Sequence, residues 1–259
     1  MGVLNAFDLQ GQVAVVTGGN TGLGEAFAKA LVDVGAHVAI AARSRERSQQ
    51  VVDELVAAGG HAIAVEMDVR APDQVERMLS EVTEQLGPVD ILVNNAGVFT
   101  EHKIAEVSYE QWQAAWDETI GTNLTGVSNL CYFAARQMME KQYGKIVNIS
   151  SRGAFRGEPD HPAYGASKAG LNAMSQSLAV ALAPYNITVG VIAPGFVETD
   201  MAAEYLAGEG GDKIKQQSPL NRVATPREVA NLVAVFASEG LEFMTGGIVD
   251  LNGASYLRS

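Results

Sequence analysis

Residues 13–24 read VAVVTGGNTGLG, a β-branched apolar run that passes into a glycine-rich turn. The run is typical of a buried strand, and the turn leads into a segment whose apolar residues recur at helical spacing. Gly18, Gly22 and Gly24 have no Cβ, so they would permit a sharp turn, close approach of a phosphate and tight contact between helix and strand. Such a turn can be a plain connection, but its place between a first strand and a first helix favours dinucleotide binding.

Short β-branched runs and longer segments of helical periodicity alternate along the rest of the chain. The strands are predicted at 13–17, 37–42, 61–67, 90–95, 145–150, 187–193 and 247–251. The helices are predicted at 22–34, 45–58, 72–86, 108–139, 163–183 and 226–238. Regular alternation gives right-handed parallel crossovers, and nearly continuous apolar strands require cover on both faces. The sequence therefore predicts an α/β fold, a doubly wound parallel sheet of about seven strands with helices on both faces.

The chain contains no linker, charge block or internal repeat that would mark a second domain. We therefore expect residues 1–259 to form one domain. The segment 198–217 interrupts the alternation after the sixth strand, with helix-like pieces around GEGG at 208–211. We interpret this segment as a mobile lid over the substrate, within the same domain.

Charge and cysteine content exclude several classes of partner. The chain has 30 acidic and 18 basic residues, and a net charge of −12 repels nucleic acids and anionic lipid, so neither partner is expected. Cys131 is the only cysteine, so an intrachain disulfide and a cysteine metal cluster are excluded, and no metal site is predicted. Residues 1–10 do not read as a signal peptide, and no run approaches the roughly 18 apolar residues of a membrane span, so a cytoplasmic location is expected.

The second strand ends at Ala42 and is followed by Arg43. A carboxylate here would bind the ribose 2′-hydroxyl of NAD and repel a 2′-phosphate, whereas an arginine attracts that phosphate. Arg45 and Arg47 add positive potential, although these arginines can equally form a solvated helix start. We expect NADP(H) to be favoured over NAD(H).

Tyr164 and Lys168 stand four residues apart near the start of a predicted helix, so their side chains share one face. In a chain with seven tyrosines, a pair at this spacing is close to what chance produces. Its meaning therefore depends on the other motifs of the chain. These are TGGNTGLG at 17–24, AspVal at 68–69, NNAG at 94–97, Asn123, Ser151, YGASK at 164–168 and PGFVETDM at 194–201.

In type, order and separation these motifs resemble the short-chain dehydrogenase/reductase family, and the resemblance covers essentially the whole chain. It implies a Rossmann-type sheet and hydride transfer between a nicotinamide cofactor and a ketone or secondary alcohol. Tyr164 is then the general acid and base, and Lys168 is expected to lower the pKa of the phenol and to hold the nicotinamide ribose. Ser151 orients the substrate oxygen; it is chosen over Ser150 because its separation from Tyr164 matches the family. Asn123 holds a water that links the lysine to solvent.

The resemblance also implies where the cofactor lies. Residues 68–69 flank the adenine, 95–97 lie beneath the cofactor, and Val197 and Thr199 of the segment at 194–201 lie against the carboxamide. The expected cofactor-binding residues are Gly18, Asn20, Thr21, Gly22, Leu23, Gly24, Arg43, Asp68, Val69, Asn95, Ala96, Gly97, Tyr164, Lys168, Pro194, Val197 and Thr199.

The loop RGAFRGEPDHPA at 152–163 is expected to surround the mouth of the substrate pocket. Its two arginines suggest a small polar or anionic carbonyl or alcohol substrate, unless they form surface pairs with Glu158 and Asp160. The residues expected at the substrate are Ser151, Arg152, Arg156, His161 and Tyr164.

Within the family, the chain resembles both 3-oxoacyl-carrier-protein reductases and sugar-acid or polyol dehydrogenases. Carrier-protein reductases usually present arginines where this chain has Gln142 and Tyr185, and a net charge of −12 disfavours docking of an acidic carrier. Reduction of an oxoacyl carrier protein or acyl-CoA stays as an alternative, and a non-catalytic nucleotide-binding sensor or scaffold is a further one. The resemblance favours a homotetramer, or a homodimer, built through the helices at 108–139 and 163–183.

Overall fold

The computed structural model describes residues 6–207 and 209–258. Within these residues, seven strands form one sheet: β1 (Val13–Thr17), β2 (His37–Ala42), β3 (His61–Glu66), β4 (Ile91–Asn94), β5 (Gly144–Ile149), β6 (Ile187–Pro194) and β7 (Ile248–Leu251). The seven predicted strands are confirmed, and none of their ends differs by more than one residue.

The helices of the described residues are α1 (Gly22–Asp33), α2 (Arg45–Ala57), α3 (Pro72–Leu86), α4 (Tyr109–Ile120), α5 (Gly126–Lys141), α6 (Pro162–Leu182), α7 (Asp200–Leu206), α8 (Glu209–Gln216) and α9 (Pro226–Ala237). A π-helical segment, Gly121–Thr125, joins α4 to α5, so the long helix predicted at 108–139 contains one widened stretch. The segment predicted as a lid contains α7 and α8; its residue Gly208 lies outside the described residues. Across the described ranges, none of the helices has the length and apolar character needed to cross a membrane.

Alternate residues of β1 serve two separate cores, because successive side chains of a strand point to opposite faces. Ala14 and Val16 pack with the face covered by α1, α2 and α9, whereas Val13 and Val15 pack with the face covered by α3, α5 and α6. All four side chains are at most 3% exposed. The sheet is therefore buried on both faces, as the continuous apolar strands predict.

The strand order is β3-β2-β1-β4-β5-β6-β7, and every pairing is parallel. The chain runs outward from β1 to β3 and then returns to the other side of β1 with β4. In open α/β sheets, a crevice forms where the strand order reverses, outside the carboxyl ends of the strands. Here that point lies between the ends of β1 and β4, next to the glycine-rich turn.

Candidate active site

The glycine-rich turn follows the carboxyl end of β1. Gly18 and Gly22 have φ values of 62° and 54°, in the left-handed region that side chains disfavour. A Cβ on Gly24 would lie 2.0 Å from the carbonyl oxygen of Gly18, so only glycine lets the first turn of α1 close against the preceding loop. The N-terminus of α1 therefore faces the crevice, where its N–H groups can receive a phosphate.

Asn95 braces this turn from the end of β4. Its Nδ2 donates to the carbonyl oxygens of Thr17 and Gly18 at 3.0 and 3.2 Å. The backbone N–H groups of Asn95 and Ala96 donate to Thr17 Oγ1 at 3.0 and 3.1 Å. These bonds hold the ends of two adjacent strands in one arrangement. The sequence pointed to Asn95 and Ala96. Thr17 begins the TGGNTGLG motif, but the role of its hydroxyl was not predicted, because that role depends on the pairing of β1 with β4.

A cleft of about 860 Å³ runs from the start of α2, past the glycine-rich turn, to Tyr164. Its volume lies in the range of pockets that bind a cofactor or substrate. All the predicted cofactor-binding residues line it except Gly24, which packs behind the turn. The predicted residues therefore fit a dinucleotide: an open helix N-terminus lies at the centre, an arginine at one end, and a phenol with an ammonium at the other.

The end of the cleft beside β2 is basic. Arg43 and Arg47 line it, together with Ala42 and Ser44, and Arg45 is not among the lining residues that the structure describes. Ser44 caps α2 by accepting a hydrogen bond from the Arg47 N–H, so the helix N-terminus also faces this end. Positions 42 and 43 are alanine and arginine, so neither offers a carboxylate that could bind the ribose 2′-hydroxyl of NAD.

Ser151, Tyr164 and Lys168 meet at the opposite end of the cleft. Ser151 follows β5 and accepts a hydrogen bond from the Gly153 N–H at 3.0 Å. Lys168 Nζ donates to the carbonyl oxygen of Ile149 at 2.8 Å and lies 5.7 Å from the centre of the Tyr164 ring. A hydroxyl, a phenol and an ammonium are thus brought together from β5 and α6, as the spacing predicts.

Burial shifts the pKa values of Tyr164 and Lys168 in opposite directions. Burial raises the pKa of the Tyr164 phenol, the Ser151 hydroxyl lowers it in part, and the Glu158 carboxylate raises it further. Burial lowers the pKa of Lys168 to about 8. In the protein chain alone, burial is therefore the largest effect on the pKa of the Tyr164 phenol, and the expectation that Lys168 lowers this pKa stays a prediction.

Asn123 lies in the π-helical segment and is completely buried. Its Oδ1 accepts from the Val98 N–H at 2.8 Å, and its Nδ2 donates to the Val98 carbonyl at 2.9 Å and to Ser167 Oγ at 3.3 Å. Both Asn123 Oδ1 and Lys168 Nζ lie within 3.7 Å of the point that a Cβ on Gly97 would occupy. The asparagine therefore ties the loop after β4 to α6 beside the lysine, and its role in a water relay stays a prediction.

Arg152 is buried and lines the cleft. Its Nη1 donates to Ser255 Oγ at 2.7 Å, and its guanidinium lies 5.0 Å from the centre of the Phe196 ring. Arg152 is therefore no surface ion pair, because the C-terminal tail and an aromatic ring hold it at the cleft.

Arg156 and His161 were expected at the substrate, but they lie outside the described lining of the cleft. Arg156 Nε is 3.8 Å from Glu158 Oε1, which is the surface-pair alternative raised by the sequence. His161 is buried and its ring stacks on Phe99, with ring centres 3.6 Å apart. Neither residue is among the cleft-lining residues that the structure describes, so Arg152 is the member of the three that faces the cleft.

Several cleft residues carry no clear signal in the sequence. From the sequence, Glu158 was expected only as a partner for arginines. The aromatic residues of the cleft come from separate segments of the chain, and only the fold brings them together. The cleft residues that sequence reasoning missed include Phe99, Glu158, Phe196 and Tyr205.

Several known proteins resemble this chain in sequence and in fold over nearly its whole length. The family model described as short chain dehydrogenase matches residues 12–210. The 3-oxoacyl-(acyl-carrier-protein) reductase of Aquifex aeolicus is 38% identical over 96% of this chain and 98% of its own, and that of Staphylococcus aureus strain N315 is 36% identical over 94% and 98%. A putative gluconate dehydrogenase from Agrobacterium tumefaciens has a TM-score of 0.92 at 31% identity, covering 96% of this chain and 98% of its own. The actinorhodin polyketide ketoreductase with NADPH has a TM-score of 0.88 at 34% identity, covering 94% and 97%.

The fold and the site together define a nicotinamide-dependent oxidoreductase that transfers a hydride between its cofactor and a ketone or secondary alcohol. Its substrate is a small molecule. The chain belongs to the short-chain dehydrogenase/reductase family.

Proposed function

We propose that the protein reduces small polar ketones with NADPH and that Asn123, Ser151, Tyr164 and Lys168 are its catalytic residues. The observation that carries this proposal is the convergence of the serine, tyrosine and lysine at one end of a cleft whose other end is basic. The test is to titrate NADPH and NADH separately and then to follow nicotinamide absorbance as ketones, sugar acids and acyl thioesters are added. Absence of reduction with every carbonyl compound would contradict the proposal.

The chain's own groups supply the proton and hold the substrate oxygen. The bound nicotinamide supplies the hydride. The raised pKa keeps Tyr164 protonated at neutral pH, so it can donate to the carbonyl oxygen and release its proton as alkoxide charge develops. Ser151 donates to the same oxygen. With a pKa of about 8, Lys168 is mostly charged at neutral pH, and its ammonium stabilises the phenolate that remains.

Arg43 is proposed to bind the 2′-phosphate of NADPH, because it lines the basic end of the cleft. We expect Arg43→Ala to weaken NADPH binding about 10-fold, the scale of one partly solvated hydrogen bond to a charged group, and to change NADH binding far less. Dissociation constants from fluorescence titration measure both effects. Arg45→Ala, two residues along but outside the lining, is the matched control, and equal losses for both nucleotides would contradict the assignment.

Reduction of a 3-oxoacyl thioester is the second candidate, since curated relatives such as the Aquifex aeolicus protein carry that activity in their names. The positions at which carrier-protein reductases usually present arginine are Gln142 and Tyr185 here, and the net charge is −12. An acidic carrier would therefore meet repulsion rather than attraction. Faster reduction of an acyl-carrier-protein substrate than of free ketones would make this the better assignment.

The C-terminal tail is proposed to position the substrate loop. Ser255 accepts a hydrogen bond from Arg152, and Tyr256 Oη donates to the carbonyl oxygen of Phe155 at 2.9 Å. We expect Ser255→Ala to raise KM for the best ketone about 10-fold with a smaller change in kcat, because a buried guanidinium loses its acceptor. Steady-state kinetics measure the split. Ser177→Ala is the control, because the exposed Ser177 hydroxyl donates to the Ala173 carbonyl oxygen within α6. An unchanged KM in Ser255→Ala would contradict this role.

We infer one domain for the chain, with 198–217 as its lid, and a homotetramer or homodimer that uses α4, α5 and α6. The exposed Tyr132 on α5 and Val180 on α6 support contacts through these helices. Cytoplasmic location stays a prediction from the sequence. Gel filtration with light scattering measures the assembly.

A further inference from the structure

The loop between β5 and α6 brings one carboxylate into the cleft. Glu158 lines the cleft with its side chain 21% exposed. Its Oε1 and the Oγ of Ser151 both lie within 3.3 Å of the point that a Cβ on Gly153 would occupy, so the carboxylate stands beside the catalytic hydroxyl. It also acts on Tyr164, whose pKa it raises. Glu158 is therefore next to the two groups that meet the substrate oxygen.

The hydrogen-bonding capacity of this carboxylate is unused within the described part of the chain. Arg156 Nε approaches Oε1 at 3.8 Å, which is an ion pair beyond hydrogen-bond range. Burial raises the pKa of Glu158, Arg156 and Arg152 lower it in part, and the Asp160 carboxylate raises it by a smaller effect. Because a partly buried carboxylate is stabilised by donors, a bound molecule that supplies one gains affinity here.

The surrounding charges decide which donor suits the site. A substrate cation beside Glu158 would meet the guanidinium groups of Arg152 and Arg156, which both act on this carboxylate. A substrate carboxylate would meet the like charge of Glu158 itself. A neutral hydroxyl group avoids both repulsions and can donate to the carboxylate.

We propose that Glu158 accepts a hydrogen bond from a hydroxyl group on the carbon next to the reacting carbonyl, so that the substrates are α-hydroxy ketones. This inference rests on the proposed function and deepens it. The hydride adds to the carbonyl carbon, Tyr164 gives its proton to the carbonyl oxygen, and the products are a vicinal diol and the oxidised nicotinamide. A 3-oxoacyl thioester carries only C–H groups at the carbons beside its keto group, so it leaves the carboxylate without a donor.

Acetoin and butanone test this inference, because they differ only by the hydroxyl next to the carbonyl. We expect the wild-type protein to have a higher kcat/KM for acetoin. Glu158→Ala lowers kcat/KM for acetoin about 10- to 100-fold more than it lowers kcat/KM for butanone, because only acetoin loses a hydrogen bond to a charged group. Glu158→Gln keeps an acceptor oxygen and retains part of the preference. Asp160→Ala removes a carboxylate from the same loop without removing a cleft group, so it keeps the full preference.

A binding measurement separates recognition from turnover. In a Tyr164→Phe background with NADPH present, ligand-observed NMR should show weaker acetoin binding after Glu158→Ala and the same butanone binding. Equal wild-type kcat/KM for both ketones, faster reduction of an acetoacetyl thioester than of acetoin, or an acetoin preference that survives Glu158→Ala would each overturn the inference alone. Failure of the wild-type protein to reduce any of these carbonyl compounds would instead contradict the proposed function.

Discussion

Replacing Tyr164 by Phe is expected to lower kcat for ketone reduction by about 10²- to 10⁴-fold, the usual contribution of a positioned general acid. The reason is that the phenol is protonated at neutral pH and lies at the end of the cleft beside Ser151 and Lys168. Phenylalanine keeps the ring and its edge-to-face contact with Phe99, so thermal stability should change little, and NADPH binding should weaken by at most about 10-fold because a single hydroxyl is lost. Steady-state kinetics and a fluorescence titration with NADPH measure both.

Tyr132→Phe is the matched control, because Tyr132 is exposed on α5, away from the cleft. The pH profile of the wild-type protein adds an independent check. A phenol with a raised pKa keeps its proton through neutral pH, so reduction should persist there and decline only at alkaline pH, where alcohol oxidation should rise. A Tyr164→Phe variant that keeps most of its turnover would show that another group donates the proton.

Replacing Lys168 by Met is expected to abolish most activity and yet to stabilise the protein. Burial lowers the pKa of Lys168 from 10.5 to about 8, which corresponds to roughly 3 kcal/mol of folding free energy lost at neutral pH, where both folded and unfolded states are charged. Methionine removes this cost and also removes the donor to the Ile149 carbonyl, worth about 1 kcal/mol. The free energy of unfolding at neutral pH should therefore rise by about 2 kcal/mol, and kcat should fall by at least about 10²-fold.

Denaturant titration at several pH values measures the free energy of unfolding of the wild-type protein and of Lys168→Met. Between pH 8 and 10.5 the unfolded chain keeps a proton that the folded chain has released, so the lysine's contribution to stability rises with pH in this window. The gain from Lys168→Met should therefore shrink as the pH rises. Lys29→Met is the control: its charge pairs with Glu25 and its pKa is raised, so its loss should not stabilise the fold. A lower stability of Lys168→Met at neutral pH would contradict the argument.

Prediction from the sequence succeeded where local rules apply. The strands at 13–17 and 37–42 match the structure residue for residue, because continuous β-branched runs between turns have few alternatives. Tyr164 and Lys168 lie on the same face of α6, as predicted, because residues four apart on a helix point in nearly the same direction. Asn123 was also placed correctly inside a long helical segment, although its π-helical geometry was not predicted from the residues themselves.

The sequence by itself determined the doubly wound sheet, the glycine-rich turn and the order of the proposed catalytic residues, since each follows from periodicity or from spacing along the chain. Only the tertiary structure decided that Arg152 is held by Ser255, that His161 stacks behind Phe99 and that Glu158 faces the cleft. It also shows that burial raises the pKa of the Tyr164 phenol. The physical reason is the same in each case: contacts between residues far apart in the chain, and the loss of water around a charge, have no local pattern.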